Sequence, residues 1–271
     1  MTEFLETVKR TGAYRTPEGK YKPGRNGLIT SIKANFAVLD VFFGAGFKAR
    51  KGVFGWETWR QMSGSVFTKL ERMGAHVDIE GFENIDSAKL PVVYVANHMS
   101  MLETMILPPL LLTFGKVGIV LKKSLLDVPI AGDAFRSKPI VALGRSNPRE
   151  DLAAVLKEGE AILKSGVSLL IFPQGTRRAV FNPRQFNSIG VKLAERAGVP
   201  VVPIALRCDL IGVGKYTKDL GPVNLANPVR FACGPMLDVS ENAKEAQRRC
   251  TDFILGKMKA WGMPVKEGVD E

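Results

Sequence analysis

Five runs of β-branched and aliphatic residues with no charge inside them limit the folds open to this chain more than any other feature. They are Val92–Ala96, Val117–Leu121, Ile140–Leu143, Val167–Phe172 and Val199–Leu206. A strand with one wet face alternates apolar and polar residues, whereas a run that does not alternate is buried on both faces, as in a sheet with helices on both sides. Helical patterns fill the intervals: Leu102–Phe114, Pro148–Lys164 with Asn147 at its cap, Gln185–Ala197 and Ser240–Trp261. Residues 76–271 therefore predict an α/β domain, a mixed and largely parallel β-sheet covered by helices. Val77–Glu80 and Val229–Cys233 are expected to add edges.

The first 75 residues read differently. Residues 1–27 carry turn formers, Thr16-Pro17-Glu18-Gly19 and Lys22-Pro23-Gly24, and are expected to form a flexible basic arm that packs little. Residues 28–75 predict an amphipathic helical hairpin. In Leu28–Lys48, Ile32, Phe36, Leu39 and Phe43 recur at spacings of three and four; in Phe54–Met73, Trp56, Trp59, Met62, Phe67 and Leu70 fall on or near one side. Two readings stand. The hairpin caps the core, or it lies in a bilayer interface with Phe36, Phe43, Trp56 and Trp59 in the lipid and Lys33, Lys48, Arg50 and Lys51 at the phosphates. Asp40 and Pro108-Pro109 break the two most apolar stretches short of the roughly 18 uncharged residues that span a bilayer, so no spanning helix is expected.

Charge narrows the partners. The chain of 271 residues carries a formal net charge of +11, which favours an anionic partner: nucleic acid, anionic lipid or a phosphorylated substrate. No basic stretch is interleaved with aromatics and no nucleic-acid reading module is recognisable, so nucleic acid is not expected. The three cysteines, Cys208, Cys233 and Cys250, are far apart, which predicts neither a disulfide framework nor a zinc site and fits a reducing, cytosolic setting. The start, Met1-Thr-Glu-Phe-Leu-Glu, has acid where a signal peptide has base, so export is not expected.

With only two histidines, imidazole chemistry must use His76 or His98. His76 has no carboxylate spaced to orient it. His98 directly follows a buried run, in Asn97-His-Met-Ser-Met-Leu-Glu103, where a strand gives way to a helix; catalytic groups of open α/β sheets gather at such ends. Residues five apart do not share a helix face, so His98 must precede the helix for Glu103 to reach back to one ring nitrogen and leave the other as a base. Ser100-Met-Leu-Glu103 is equally a capping box, in which Glu103 serves only a backbone N–H. Further on, Phe172-Pro-Gln-Gly-Thr-Arg177 follows a strand. Gly175 allows close backbone approach and Arg177 offers a planar fork that matches phosphate oxygens. Lys123 and Arg145 follow two other strands, which points to a convergent anion pocket.

These blocks resemble the glycerolipid acyltransferase family, in particular its 1-acyl-glycerol-3-phosphate acyltransferases. Asn97-His98 with Glu103 resembles the His-x4-Asp motif; Lys123 to Pro129, Gly132 and Arg145 resemble a second block; Phe172–Arg177 resembles Phe-Pro-Glu-Gly-Thr-Arg; and Val202-Pro203-Ile204 resembles the last. The match covers roughly residues 75–210. The resemblance implies that His98 is the general base, that Glu103 orients it, and that Lys123, Arg145, Gly175, Thr176 and Arg177 bind the phosphate. It further implies an acyl-CoA or acyl-carrier-protein donor as co-substrate, a lysophospholipid acceptor, no metal or other cofactor, and residence as a peripheral or monotopic protein on the anionic cytoplasmic face of a membrane. Two positions depart from the family: Glu103 replaces Asp, and Gln174 replaces Glu beside the phosphate pocket. With these departures, glycerol 3-phosphate, another lysophospholipid or an aminolipid stands as an alternative acceptor. A non-catalytic basic membrane binder stands as an alternative function.

Overall fold

The computed structural model describes residues 3–215 and 220–266; the first two residues of the expected arm, and residues 216–219 and 267–271 of the expected α/β domain, lie outside the described set. In chain order the described residues form α1 (Glu3–Thr11), β1 (Tyr14–Arg15), α2 (Leu28–Arg50), α3 (Trp56–Arg72), β2 (Val77–Glu80), β3 (Val93–Ala96), α4 (Leu102–Leu111) and β4 (Val117–Lys122). There follow α5 (Ala131–Arg136), β5 (Ile140–Leu143), α6 (Pro148–Lys164), β6 (Ser168–Ile171), α7 (Ile189–Ala197), β7 (Val201–Arg207), β8 (Val229–Cys233) and α8 (Ala243–Ala260).

The five charge-free runs are the five parallel strands of one sheet, in spatial order β7-β3-β6-β4-β5. Beyond β7 the sheet continues through β8, antiparallel to it, then β2 and β1. The segments expected as edges, Val77–Glu80 and Val229–Cys233, are thus interior strands, and β1 and β5 form the edges. The strands are apolar on both faces because both are covered. Tyr94 and Ala96 of β3 face a core shared with α1, α3 and α4, while Val93 and Val95 face a second core shared with α6, α7 and α8. Each fully buried aliphatic side chain contributes about 1.5–3 kcal/mol here, so the pattern dictates the layers.

The N-terminal arm does pack, contrary to expectation. Phe4, Leu5 and Val8 form a one-turn apolar stripe on α1 and are buried; the Phe4 ring lies 4.5 Å from that of Phe67. Glu3 and Glu6 at its start and Lys9 and Arg10 at its end complement the helix dipole. The Tyr14 and Thr16 hydroxyls each donate to the buried Glu71 carboxylate at 2.7 Å. These contacts outweigh the turn formers that follow.

Helices α2 and α3 form the expected hairpin, joined by a Lys69–Asp40 ion pair at 3.0 Å. Within α2 the small residues face the protein: Ala34, Ala37, Val38, Val41, Ala45 and Gly46 are buried. At Gly46 a side chain would run into the Ile130 carbonyl, so glycine permits the close approach of α2 to the start of α5. Several large residues point outward, with Ile29 at 69%, Ile32 at 58% and Phe36 at 68% exposed, while Phe42 turns inward against the core. At 23 residues, α2 is longer than the apolar stretch read from the sequence, and by length and composition it is apolar enough to cross a membrane. Of the four aromatics expected at an interface, Phe36 and Phe43 are exposed, Trp56 is half-buried, and Trp59 turns inward against the core, 6.2 Å from Phe54.

Candidate active site

Parallel strands present their C-terminal ends at one edge, and here those ends carry His98 after β3, Phe172–Arg177 after the adjacent β6, Lys123 after β4 and Arg145 after β5. His98 is held from several sides. Asn97 donates from Nδ2 to the Leu206 carbonyl and accepts the Leu206 N–H at Oδ1, both at 2.8 Å, which pins the end of β3 to β7. The His98 N–H donates to Gln174 Oε1 at 2.8 Å, and its carbonyl accepts the Arg178 N–H at 2.9 Å. The Phe172 ring stacks on the imidazole, 4.5 Å between centroids.

Glu103 is fully buried in the first turn of α4, and its Oε1 lies 2.9 Å from His98 Nδ1. The same oxygen accepts the N–H of Met99 at 2.6 Å and of Ser100 at 2.7 Å, while Oε2 accepts the Ser100 hydroxyl at 2.7 Å. The Ser100 Oγ accepts the Leu102 N–H at 3.0 Å. The capping box and the imidazole contact, which were rival readings of one spacing, are therefore made by one carboxylate. A carboxylate oxygen that accepts from two backbone donors is an acceptor toward the ring as well, so in the neutral imidazole the hydrogen sits on Nδ1 and the lone pair on Nε2.

Gln174 is buried, and its Oε1 is turned toward the backbone of His98. Its carbonyl oxygen is all that the contact requires. This joint between the first and third blocks, together with the Phe172 stacking, was not visible in the sequence.

Gly175 adopts φ 66°, the left-handed region that favours glycine, and its N–H closes a turn onto the Phe172 carbonyl at 3.0 Å. Thr176 and Arg177 follow it, exposed. Arg145 also has a positive φ of 61°, in a turn where the N–H groups of Gly144 and Arg145 each donate to Asp151 at 3.0 Å. Burial holds the Arg145 guanidinium below its ordinary pKa, and the like charge of Arg177 adds to this while Asp151 opposes it. Arg145 and Arg177 thus feel each other's like charge, which a bound anion would relieve. Lys123 stands exposed at the end of β4 on the same edge, and His76 is exposed before β2, three strands across the sheet from β3.

An apolar cavity lies on the α2–α3 side of the sheet. It runs between α2, α3, α5 and the sheet, from Thr104 and Met105, next to Glu103, to Phe54 and Lys138.

Known proteins are similar to this chain in sequence and in fold. A family model described as Acyltransferase matches residues 76–207. The chain is 34% identical over 164 residues to a 1-acyl-sn-glycerol-3-phosphate acyltransferase of Pseudomonas aeruginosa, covering 60% of each. It is 36% identical over 229 residues to the chloroplastic 1-acyl-sn-glycerol-3-phosphate acyltransferase LPAT1 of Arabidopsis thaliana, covering 79% of this chain. The chain spans about 60% of the length of both curated relatives. The crystal structure of the 1-acyl-sn-glycerophosphate acyltransferase PlsC from Thermotoga maritima superposes with a TM-score of 0.64 at 22% identity, covering 88% of this chain and 97% of that one, and so shares the fold. The residues that match the Acyltransferase family model, 76–207, hold both the His98–Glu103 pair and the Gly175-Thr176-Arg177 turn.

Proposed function

We propose that the protein transfers a fatty acyl group from the thioester of acyl-CoA or acyl-carrier protein to the free hydroxyl of 1-acyl-glycerol 3-phosphate. The observation that carries this reading is the His98 ring, fixed by Glu103 at 2.9 Å at the strand ends that also carry Arg145 and Arg177. Nε2 takes the acceptor's hydroxyl proton as its oxygen attacks the thioester carbonyl, and the Glu103 carboxylate stabilises the imidazolium that forms. The tetrahedral intermediate expels the thiolate, which recovers the proton from the imidazolium. No acyl-enzyme, metal or further cofactor takes part. Lys123, Arg145 and Arg177, with the backbone at Gly175 and Thr176, hold the phosphate, and the apolar cavity takes an acyl chain.

The names of the curated relatives support the acceptor. Purified protein given an acyl thioester with 1-acyl-glycerol 3-phosphate, glycerol 3-phosphate or a neutral-headgroup lysolipid is expected to show the highest kcat/KM for the first, read by mass spectrometry of the product. Preference for the neutral headgroup, or no transfer to any acceptor, would overturn the reading.

The outer face of α2 is the membrane contact in this reading, on the cytoplasmic side. Ile29, Ile32, Phe36 and Phe47 are exposed there with Arg25, Lys33, Lys48 and Lys51 around them, apolar residues for the acyl region and cations for anionic headgroups. The full chain is expected to float with phosphatidylglycerol vesicles. Phe36→Glu combined with Phe47→Glu should weaken that binding at least tenfold, since each buried phenyl contributes about 1.5–3 kcal/mol. Undiminished flotation of the double variant would leave α2 as a cap on the core.

A further inference from the structure

Exposed apolar side chains are not scattered evenly over this protein. Of the nine large hydrophobics exposed among the described residues, six lie on α2 and a seventh, Val53, follows soon after it. Val213, 75% exposed, lies far along the chain but close to α2 in space. It stands on the first arm of a hairpin whose arms meet at an antiparallel bridge between Ile211 and Val223 and at a bond from the Gly212 N–H to the Pro222 carbonyl at 2.9 Å. A side chain at Gly221 would strike the Gly212 carbonyl and the backbone of Val213, so glycine lets the two arms close.

Three hydrogen bonds fasten this hairpin to the start of α2. The Leu225 N–H donates to Asn26 Oδ1 at 2.8 Å, the Val223 N–H to Ser31 Oγ at 3.0 Å, and Asn35 Nδ2 to the Gly221 carbonyl at 2.9 Å. Leu28, Ser31 and Asn35, spaced by three and four, run along one flank of the helix, between the buried stripe of Ala34, Val38 and Val41 and the exposed stripe of Ile32 and Phe36. Leu28 on that flank is 77% exposed, so the open apolar surface of α2 continues round to the hairpin.

We propose that the hairpin is a second contact with the anionic bilayer, with Val213 entering the headgroup boundary beside Leu28 and Ile29. The inference rests on the reading of α2 as the membrane contact and adds a support to one side of the helix axis. A body resting on a single helix can roll about that helix. A second apolar contact to one side stops the roll and so fixes which way the sheet edge carrying His98 faces. Lys215, also exposed, places a cation near the lipid phosphates.

The three cysteines are all buried, so a cysteine placed on the surface is labelled selectively. Val213→Cys, Phe36→Cys and Lys157→Cys, the last exposed on α6 across the sheet from α2, are each coupled to a fluorophore in the full chain. Each is mixed with phosphatidylglycerol vesicles containing a phospholipid that carries a nitroxide on its acyl chain. The labels at positions 213 and 36 are expected to lose fluorescence to the nitroxide, and the label at 157 to keep it. In the unlabelled protein, Val213→Asp should lower vesicle partition roughly fivefold, part of what full burial of a valine provides. Quenching at 36 without quenching at 213, or undiminished partition of Val213→Asp, overturns this inference and leaves α2 as the membrane contact. No quenching at 36 removes the α2 reading and this inference with it. Quenching at 157 as well as at the other two would mean adsorption without a fixed orientation, which also overturns the inference.

Discussion

His98→Ala is expected to lower kcat for acyl transfer by about two to four orders of magnitude, the contribution of a positioned general base. The loss should fall on kcat and leave KM for the phosphorylated acceptor nearly unchanged, because the phosphate contacts proposed for Arg145 and Arg177 do not pass through the ring. The variant is expected to fold. The hydrogen bonds that fix this turn to Gln174 and Arg178 are made by the His98 backbone, and Glu103 keeps its two backbone donors when the imidazole is gone. Circular dichroism with steady-state kinetics checks both parts. Full turnover by a folded His98→Ala protein would mean that the hydroxyl proton leaves by another route.

Substitution of Glu103 has the second-largest expected effect, and two variants separate its two tasks. Glu103→Gln keeps an oxygen able to accept from His98 Nδ1 and from the N–H groups of Met99 and Ser100, but loses the charge that stabilises the imidazolium. It is expected to lower kcat about a hundredfold or more with a small change in thermal midpoint. Glu103→Ala also removes the acceptor of both backbone donors. Each buried N–H left unpaired costs about 1–3 kcal/mol, so this variant should melt well below the Gln variant. Equal melting of the two would show that the turn does not depend on the carboxylate, and undiminished kcat in Glu103→Gln would exclude a role in charge stabilisation.

Those parts of the fold whose physics is local were legible in the sequence. The five uncharged runs became the five parallel strands, and the boundaries of Ile140–Leu143 and Pro148–Lys164 agree residue for residue, the latter through its Asn147 cap and first-turn proline. Two misses share a cause. Helix α1 has one short stripe, Phe4, Leu5 and Val8, whose burial depends on Phe67 and Tyr14, far along or outside that stretch of chain. Helix α5 has six residues, too few for a period to show. Helix α7 begins at Ile189, four residues later than expected, because Pro183–Gln185 forms a separate 3-10 turn.

At the site the same division holds. The His98–Glu103 contact spans five residues and could be argued from helix geometry. The contact of the His98 N–H with Gln174 spans 76 residues and depends on β3 and β6 being neighbours, which no local pattern encodes. Side-chain direction on α2 was likewise hidden, because both faces are apolar and only packing decides that Ala34, Ala37 and Ala45 go inward and Phe36, Phe43 and Phe47 outward.

The attachment of α2 has a mechanical consequence. Near its start, Ser31 accepts the Val223 N–H at 3.0 Å and Asn35 donates to the Gly221 carbonyl at 2.9 Å; near its end, Arg50 pairs with Asp133 at 2.5 Å. A rod clamped at both ends to the body that carries His98 cannot pivot on it. In the proposed reading, the plane on which the exposed flank of this rod rests fixes the tilt and the elevation of the imidazole above that plane, as a keel fixes a hull, and selects acceptors whose hydroxyl rides at that height.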